Sequence, residues 1–204
     1  MSTVAVIDFE TTGLSPAMGD RATEVAIVLM EGEQVVDRFQ SLMNAGVRIP
    51  PFIEAYTGIS NAMIATAPPA ERVMAEASRF VGQRPMAAHN AAFDRRFWMA
   101  ELARAGQSAA QPFACTLLLS RRLYPQAINY KLGSLAALHA LPSSGRAHRA
   151  MADAEVAAAL LGQIRTDLRF RFGVAEPRHA LLMKLQACAR QAVPKAIERH
   201  LAGG

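Results

Sequence analysis

A pair of carboxylates stands at the end of the first apolar run of the chain: Asp8 and Glu10, within TVAVIDFETTGL. Side chains alternate along an extended strand, so both acids share one face and Phe9 takes the other. Two neighbouring carboxylates repel, and beside a hydrophobic core that repulsion costs several kcal/mol unless a cation neutralises them. Taken alone, a D-x-E reads more simply as a solvated strand end.

Two further segments carry acids of the same kind. In HNAAFD, Asp94 falls in the first turn of a helix that follows a strand, a position the helix dipole explains by itself. In AHRAMADA, His148 and Asp153 are five residues apart, which in one continuous helix places them roughly 140° apart and prevents convergence. His148 is therefore expected to precede the helix, carried by the loop that opens at 142–146, within reach of a site that Asp153 faces. Its ordinary roles are those of a capping or surface histidine. Asp8, Glu10, Asp94 and Asp153 together form an all-oxygen ligand set, which suits Mg²⁺ or Mn²⁺ rather than structural zinc. Two such ions about 4 Å apart can clamp the attacking and leaving oxygens of a phosphodiester displacement. A free imidazole titrates near 6.5, close to the pH at which a general base works best.

The elements that must position these groups follow from the pattern of the chain. A β-branched strand over 3–9 ends in a Thr11-Thr12-Gly13 turn, and 23–30 and 34–42 form a hairpin about Glu31-Gly32-Glu33. Pro50 and Pro51 open a short helix, a second spans 70–82, and a fourth strand covers 85–88. Asn90 caps a helix through Arg104, ended by Gly106. The segment FACTLLLSRRL from 113 reads as strand or helix, an amphipathic helix follows near 131–140, and a long Ala- and Leu-rich helix runs over 148–168. A meander followed by alternating helices and strands predicts an α/β fold with a mixed sheet covered by helices. GVAEPR at 173–178 looks like a linker before a last helix over 179–193, with Leu181, Leu185, Cys188 and Ala192 on one face and Pro194 as its stop.

In this order the three acidic segments resemble those of the DEDDh 3′-5′ exonucleases, the group that includes the proofreading subunit of bacterial replicative polymerase and ribonuclease T. The phrases YTGIS from Tyr56 and NYKL from Asn129 extend the likeness over roughly residues 3–165. The resemblance implies a ribonuclease H-like fold with a mixed five-stranded sheet flanked by helices, an exonuclease domain over 1–168 and a basic helical C-terminal extension over 174–204. It implies that Asp8 bridges two divalent ions, that Glu10 and Asp153 bind the ion holding the nucleophilic water, and that Asp94 acts on the second largely through water. His148 matches the general base. Thr11, Thr12, Gly13 and Leu14 match positions that hold the 3′-terminal nucleotide, with Asn90 and Phe93 completing the substrate-binding set. For Phe93, Phe97 and Trp98, all on one helix, core packing is the simpler reading and base stacking the other. The implied activity is hydrolysis of single-stranded or 3′-ended DNA or RNA to nucleoside 5′-monophosphates, in proofreading or repair.

Composition bounds the remaining possibilities. The 204 residues are 51% hydrophobic and 19% charged, with a net charge of +5, which excludes a disordered chain and permits a polyanionic partner. That excess sits in the tail: residues 166–204 carry a net +4 and residues 1–165 a net +1. The tail helix either packs its leucine face on the domain or on a second copy, or contacts nucleic acid, or serves a polymerase subunit. Cys115 and Cys188 allow no disulfide framework and are expected to be inert and buried. No apolar run is long enough for a bilayer, which leads to the expectation of a cytoplasmic protein without a membrane partner. There is no P-loop, G-x-G-x-x-G or H-E-x-x-H, so a nucleotide-driven motor, a dinucleotide dehydrogenase and a zincin find no support. A non-catalytic binding module and a scaffolding subunit are the rival readings; the presence of all five motif residues argues against lost turnover.

Overall fold

The computed structural model describes residues 3–142 and 149–202. Strand β1 (Thr3–Thr11) pairs antiparallel with β2 (Ala22–Glu31), which pairs antiparallel with β3 (Gln34–Leu42). Beyond a run of helices, α1 (Pro51–Thr57), α2 (Asn61–Ala65) and α3 (Ala70–Val81), the chain forms β4 (Met86–Ala88). After helix α4 (Ala91–Arg104) comes β5 (Phe113–Cys115). β4 lies parallel to β1, and β5 parallel to β4, which gives the order β3-β2-β1-β4-β5. The remaining helices are α5 (Thr116–Leu123), α6 (Leu132–Leu138), α7 (Ala150–Phe172), α8 (His179–Ala187) and α9 (Val193–Ala202). The expected mixed five-stranded sheet covered by helices is the architecture found. Among the described residues no helix is long and apolar enough to cross a membrane.

The two-residue period of β1 divides the core. Val4 and Val6 join Ala26, Val28 and Ala87 under α7, α5 and α8, whereas Ala5, Ile7 and Phe9 join Val25, Ile27 and Met86 under α3 and α4. By the same alternation Asp8 and Glu10 fall on the α7 face, at the end of β1 where the apolar packing stops. β2 is buried on both faces, which is why its sequence is a continuous apolar run rather than an alternating one. β3 is an edge, with Asp37 and Arg38 exposed along it.

Several elements depart from the sequence expectations. The segment from 113 is both things in turn: three residues of β5, then α5 without a gap. The long helix starts at Ala150 and runs to Phe172, because Gly173, at φ 69°, is the first residue placed to terminate it. Asn90 occupies the N-cap position of α4 but in the left-handed region (φ 65°, ψ 45°), where its side chain makes no capping hydrogen bond. Pro194 starts a helix rather than stopping one. It sits in the first turn of α9, where its missing N–H is not needed.

The segment beyond 173 is not a loose appendage. Val174, Leu181, Leu182, Leu185, Val193 and Ile197 are buried in the same cluster as Val4, Val28 and Leu161. α8 also closes the β5 edge of the sheet: the Cys115 amide donates to Gln186 Oε1 at 2.6 Å, and Gln186 Nε2 donates to the Phe113 carbonyl at 3.1 Å. A side-chain amide thus stands in for the missing neighbouring strand. Cys115 is buried and Cys188 half-buried, both as free thiols.

Candidate active site

Carboxylate oxygens of Asp8, Glu10 and Asp153 all lie within 4.8 Å of one another. β1 contributes the first two on one face, and α7, packed across that face, brings Asp153 in its first turn. Asp94 arrives from the other side of the sheet, on α4, and is 2% exposed, with Oδ1 lacking any hydrogen-bond partner in the described structure. The four acids expected from the sequence therefore approach the same strand end, three as a cluster and one beside it. His148 lies outside the described residues, although its neighbours Arg149 and Ala150 are anchored at this site.

The electrostatics are those of a site built for cations. Burial is the largest cause holding the Glu10 carboxyl at about 8, with Asp153 and Glu24 adding to it and Arg149 opposing. Asp94 is likewise pushed to about 8 by burial, although backbone amides of its own residue and of Phe9 pull the other way. Part of Asp8 reaches the cleft, yet desolvation first and Asp94 and Glu10 next raise it well above the ordinary carboxylate range. Without a cation such acids hold protons. An all-oxygen cluster with an orphaned buried oxygen alongside fits a hard divalent ion that replaces those protons.

An ion pair that the sequence did not reveal, buried on its glutamate side and half-open on its arginine side, frames the cluster. Glu24 on β2 pairs directly opposite Glu10 and is 1% exposed. It receives a two-pronged contact from Arg149, with Nη2 to Oε1 at 2.8 Å and Nε to Oε2 at 3.2 Å. It also accepts the Ala150 amide at 3.1 Å and Gln40 Nε2 at 2.9 Å. Glu24 thereby satisfies an orphan amide at the start of α7, a task normally done by a capping side chain. One signal was available: a glutamate inside an otherwise apolar strand must have a partner.

The substrate-binding candidates divide. Thr11, Gly13, Leu14 and Phe93 line a mostly apolar cavity of about 430 Å³ that also contains Asp8, Glu10 and Asp153. Phe52 and Tyr56 of α1 also line it, and both are largely exposed. Thr12 is buried and faces away, accepting the Arg21 amide at 3.0 Å. Asn90 lines a separate groove. Gly13 leaves room for the Asp20 carboxylate, which would collide with a β-carbon there. Phe97 and Trp98 are fully buried core residues, so of the three aromatics only Phe93 reaches the cavity.

A second, larger cleft of about 830 Å³ shares Asp8, Tyr56 and Asp153 with that cavity and is lined farther on by His89, Arg121, Tyr130 and Lys131. His89 is held between Thr116 Oγ1 at 2.9 Å and the Tyr130 carbonyl at 3.0 Å. A carbonyl only accepts, so Nε2 carries the proton, and burial lowers the imidazole below its usual range and keeps it neutral.

Comparison with known proteins adds independent findings. A family model described as exonuclease, RNase_T, matches residues 5–161. The chain is 31% identical over 175 residues to DNA polymerase III subunit epsilon of Aquifex aeolicus, a match covering 85% of this chain and 86% of that one. It is 39% identical over 165 residues to the 3′-5′ exonuclease DinG of Bacillus subtilis, covering 80% of this chain and 18% of the relative. Among solved structures, Exonuclease X in complex with 5′-overhanging duplex DNA superposes with a TM-score of 0.69 at 29% identity, covering 88% of this chain and 99% of that chain. E. coli Exonuclease I with a dT13 oligonucleotide shares the fold, with a TM-score of 0.72 at 20% identity over 85% of this chain and 43% of the other. The chain thus spans most of the epsilon subunit and of Exonuclease X but under one fifth of DinG.

Proposed function

The chain belongs to the RNase_T family of exonucleases, and from that premise we propose that it removes nucleotides singly from the 3′ ends of DNA and releases nucleoside 5′-monophosphates. The observation that carries the reading is the convergence of Asp8, Glu10 and Asp153 at the mouth of an apolar cavity sized for one nucleotide, with the orphaned Asp94 oxygen beside them. The relatives named as 3′-5′ exonuclease and as a DNA polymerase III subunit favour this direction and this polymer.

In this mechanism Asp8, Glu10, Asp94 and Asp153 would hold two divalent ions, Mg²⁺ or Mn²⁺. When bound, such ions activate water and neutralise charge on the phosphate. Leu14, Phe52 and Phe93 grip the terminal base, and the Thr11–Gly13 backbone follows the sugar. His148 takes the proton from the attacking water as the water oxygen bonds to phosphorus; the bond from phosphorus to the 3′ oxygen of the preceding nucleotide breaks, and that oxygen takes up a proton from solvent and leaves as the 3′-hydroxyl of the shortened strand. The setting that suits this chemistry is proofreading or repair, with a polymerase subunit as a protein partner.

The test is to offer matched DNA and RNA oligonucleotides, labelled at the 5′ end, with and without Mg²⁺. A descending ladder on DNA that requires the metal is the expected result. Binding without shortening would overturn hydrolysis in favour of a non-catalytic binding module, and a ladder on RNA alone would overturn the choice of polymer.

A further inference from the structure

The cavity, the cleft and a third depression are linked in series by the side chains that line more than one of them. The cleft shares Asp8, Tyr56 and Asp153 with the nucleotide-sized cavity at one end, and Leu117 and Arg121 with a groove of about 520 Å³ at the other. That groove runs between the first turn of α4 and α5, where Arg95 lines it and Gln186 of α8 forms part of its wall. The acids therefore stand at a junction, with an apolar chamber for one nucleotide on one side and a passage on the other.

The passage carries positive charge of its own, apart from that of the tail. Arg95, Arg121 and Lys131 are exposed and form no ion pair with any described carboxylate. In the tail Arg169, Arg171 and Arg178 are paired with Glu33, Asp167 and Glu176, while Lys184, Arg190, Lys195 and Arg199 are exposed and, like the cations of the passage, form no ion pair with a described carboxylate. Of the tail's net +4, which already counts Asp167 and Glu176, one charge is met by an acid from outside the tail, through Arg169–Glu33. The Arg121 guanidinium lies over the Tyr130 ring, 5.9 Å from its centroid. Tyr130 is fixed by His89 on its carbonyl and by its own hydroxyl, which donates to the Tyr124 carbonyl at 3.1 Å. A planar guanidinium presented in this way suits bidentate contact with phosphate oxygens.

We propose that the substrate strand, 5′ of the nucleotide being removed, runs from the acids through the cleft and along the α4–α5 groove, with its phosphates held by Arg121 and Arg95. This rests on the exonuclease reading above and adds to it the course of the strand. Contact with the backbone rather than with base edges makes the grip indifferent to sequence.

The experiment compares single strands of two to ten nucleotides across a salt series, using the full chain with Mg²⁺. In the unaltered protein kcat/KM should rise with length and fall with salt. Arg95→Glu with Arg121→Gln should flatten the length dependence, costing much more on the ten-nucleotide strand than on the dinucleotide, and should reduce the log-log salt slope by about 1.4, at roughly 0.7 per phosphate contact on a single strand. Arg95→Glu alone, on an exposed helix position, should show half that change of slope and guards against a folding defect from the loss of Arg121. Arg199→Glu, in the tail, should leave both dependences unchanged. An unchanged slope in the groove variants, or a loss confined to the tail variant, overturns the path. Absence of hydrolysis on every strand by the unaltered protein would instead remove the underlying exonuclease reading.

Discussion

Glu24 and Arg149 are 125 positions apart in sequence, yet their side chains meet at 2.8 Å directly beside the candidate ligand Glu10. Because Glu24 also accepts the Ala150 amide, the pair ties the start of α7 to the strand that carries Asp8 and Glu10 through its neighbour β2. Asp153 and the chain position of His148 flank this tie.

Glu24→Ala should therefore be costly in two ways. It leaves the buried Ala150 amide unpaired, for which about 1–3 kcal/mol of stability is the expected loss, while solvent and Glu10 still meet the Arg149 charge. Displacement of Asp153 by as little as 1 Å can lower turnover about 100-fold. Glu24→Gln, which can still accept from Ala150, should recover more stability than activity. Thermal unfolding and single-turnover rates on each variant check the split.

The buried acids make the metal-free protein sensitive to alkali. Glu10 and Asp94 hold protons in the folded state up to about 8, whereas the unfolded chain releases them near the ordinary carboxylate value of 4.5 for Glu and 3.8 for Asp. A folded-state pKa above the unfolded one means a stabilising contribution fully present below those values and lost as pH rises toward 8. In chelator, Tm should fall across that window; Mg²⁺ should restore it at pH 8. Asp94→Asn should flatten the fall in chelator and weaken the Mg²⁺ response. A Tm independent of pH in chelator would contradict the burial of charge at this site.

His148→Ala should lower the rate by about 10²–10⁴-fold, the usual contribution of a general base. The acidic limb of the rate profile should vanish with it, while Mg²⁺ still raises Tm as in the unaltered protein. A variant that keeps both the rate and the limb assigns the base elsewhere.

The apolar chamber should make the enzyme dependent on a free end. A 3′-phosphate should slow hydrolysis strongly and circular single strands should resist. Leu14→Ala, at a side chain 77% exposed and lining the chamber, should raise KM more than it lowers kcat, without a change in Tm. Rapid cutting of circles would mean an open site.

Removing residues 174–204 should unfold the domain rather than merely weaken substrate binding, since Leu181, Leu182 and Leu185 would leave a shared core. The milder Gln186→Leu leaves the Cys115 amide and the Phe113 carbonyl without their partner, at a cost of about 1–3 kcal/mol each where buried. Denaturant titration of both proteins measures this, and a cooperative, fully stable truncation would restore the view of the tail as an independent extension.

What the sequence determined by itself is what depends on local periodicity and on residue type. The two-residue period of β1 places Asp8 and Glu10 on one face, the apolar run of β2 marks it as interior, and the three acidic segments in their order carry the family resemblance. Tertiary structure decided what depends on partners far along the chain. No local pattern says that Glu24 serves as the cap of a helix beginning at Ala150, that Asp94 reaches the site from the opposite side of the sheet, or that Gln186 closes the β5 edge. Pro194 illustrates the same limit: its ring forbids a hydrogen bond to the preceding turn, which reads equally as the end of one helix or the start of the next, and only the packing of Val193 and Ile197 into the core selects the second. Charge was legible as a total but not as a field, because ion pairs such as Arg169–Glu33 form between segments that only the fold brings together.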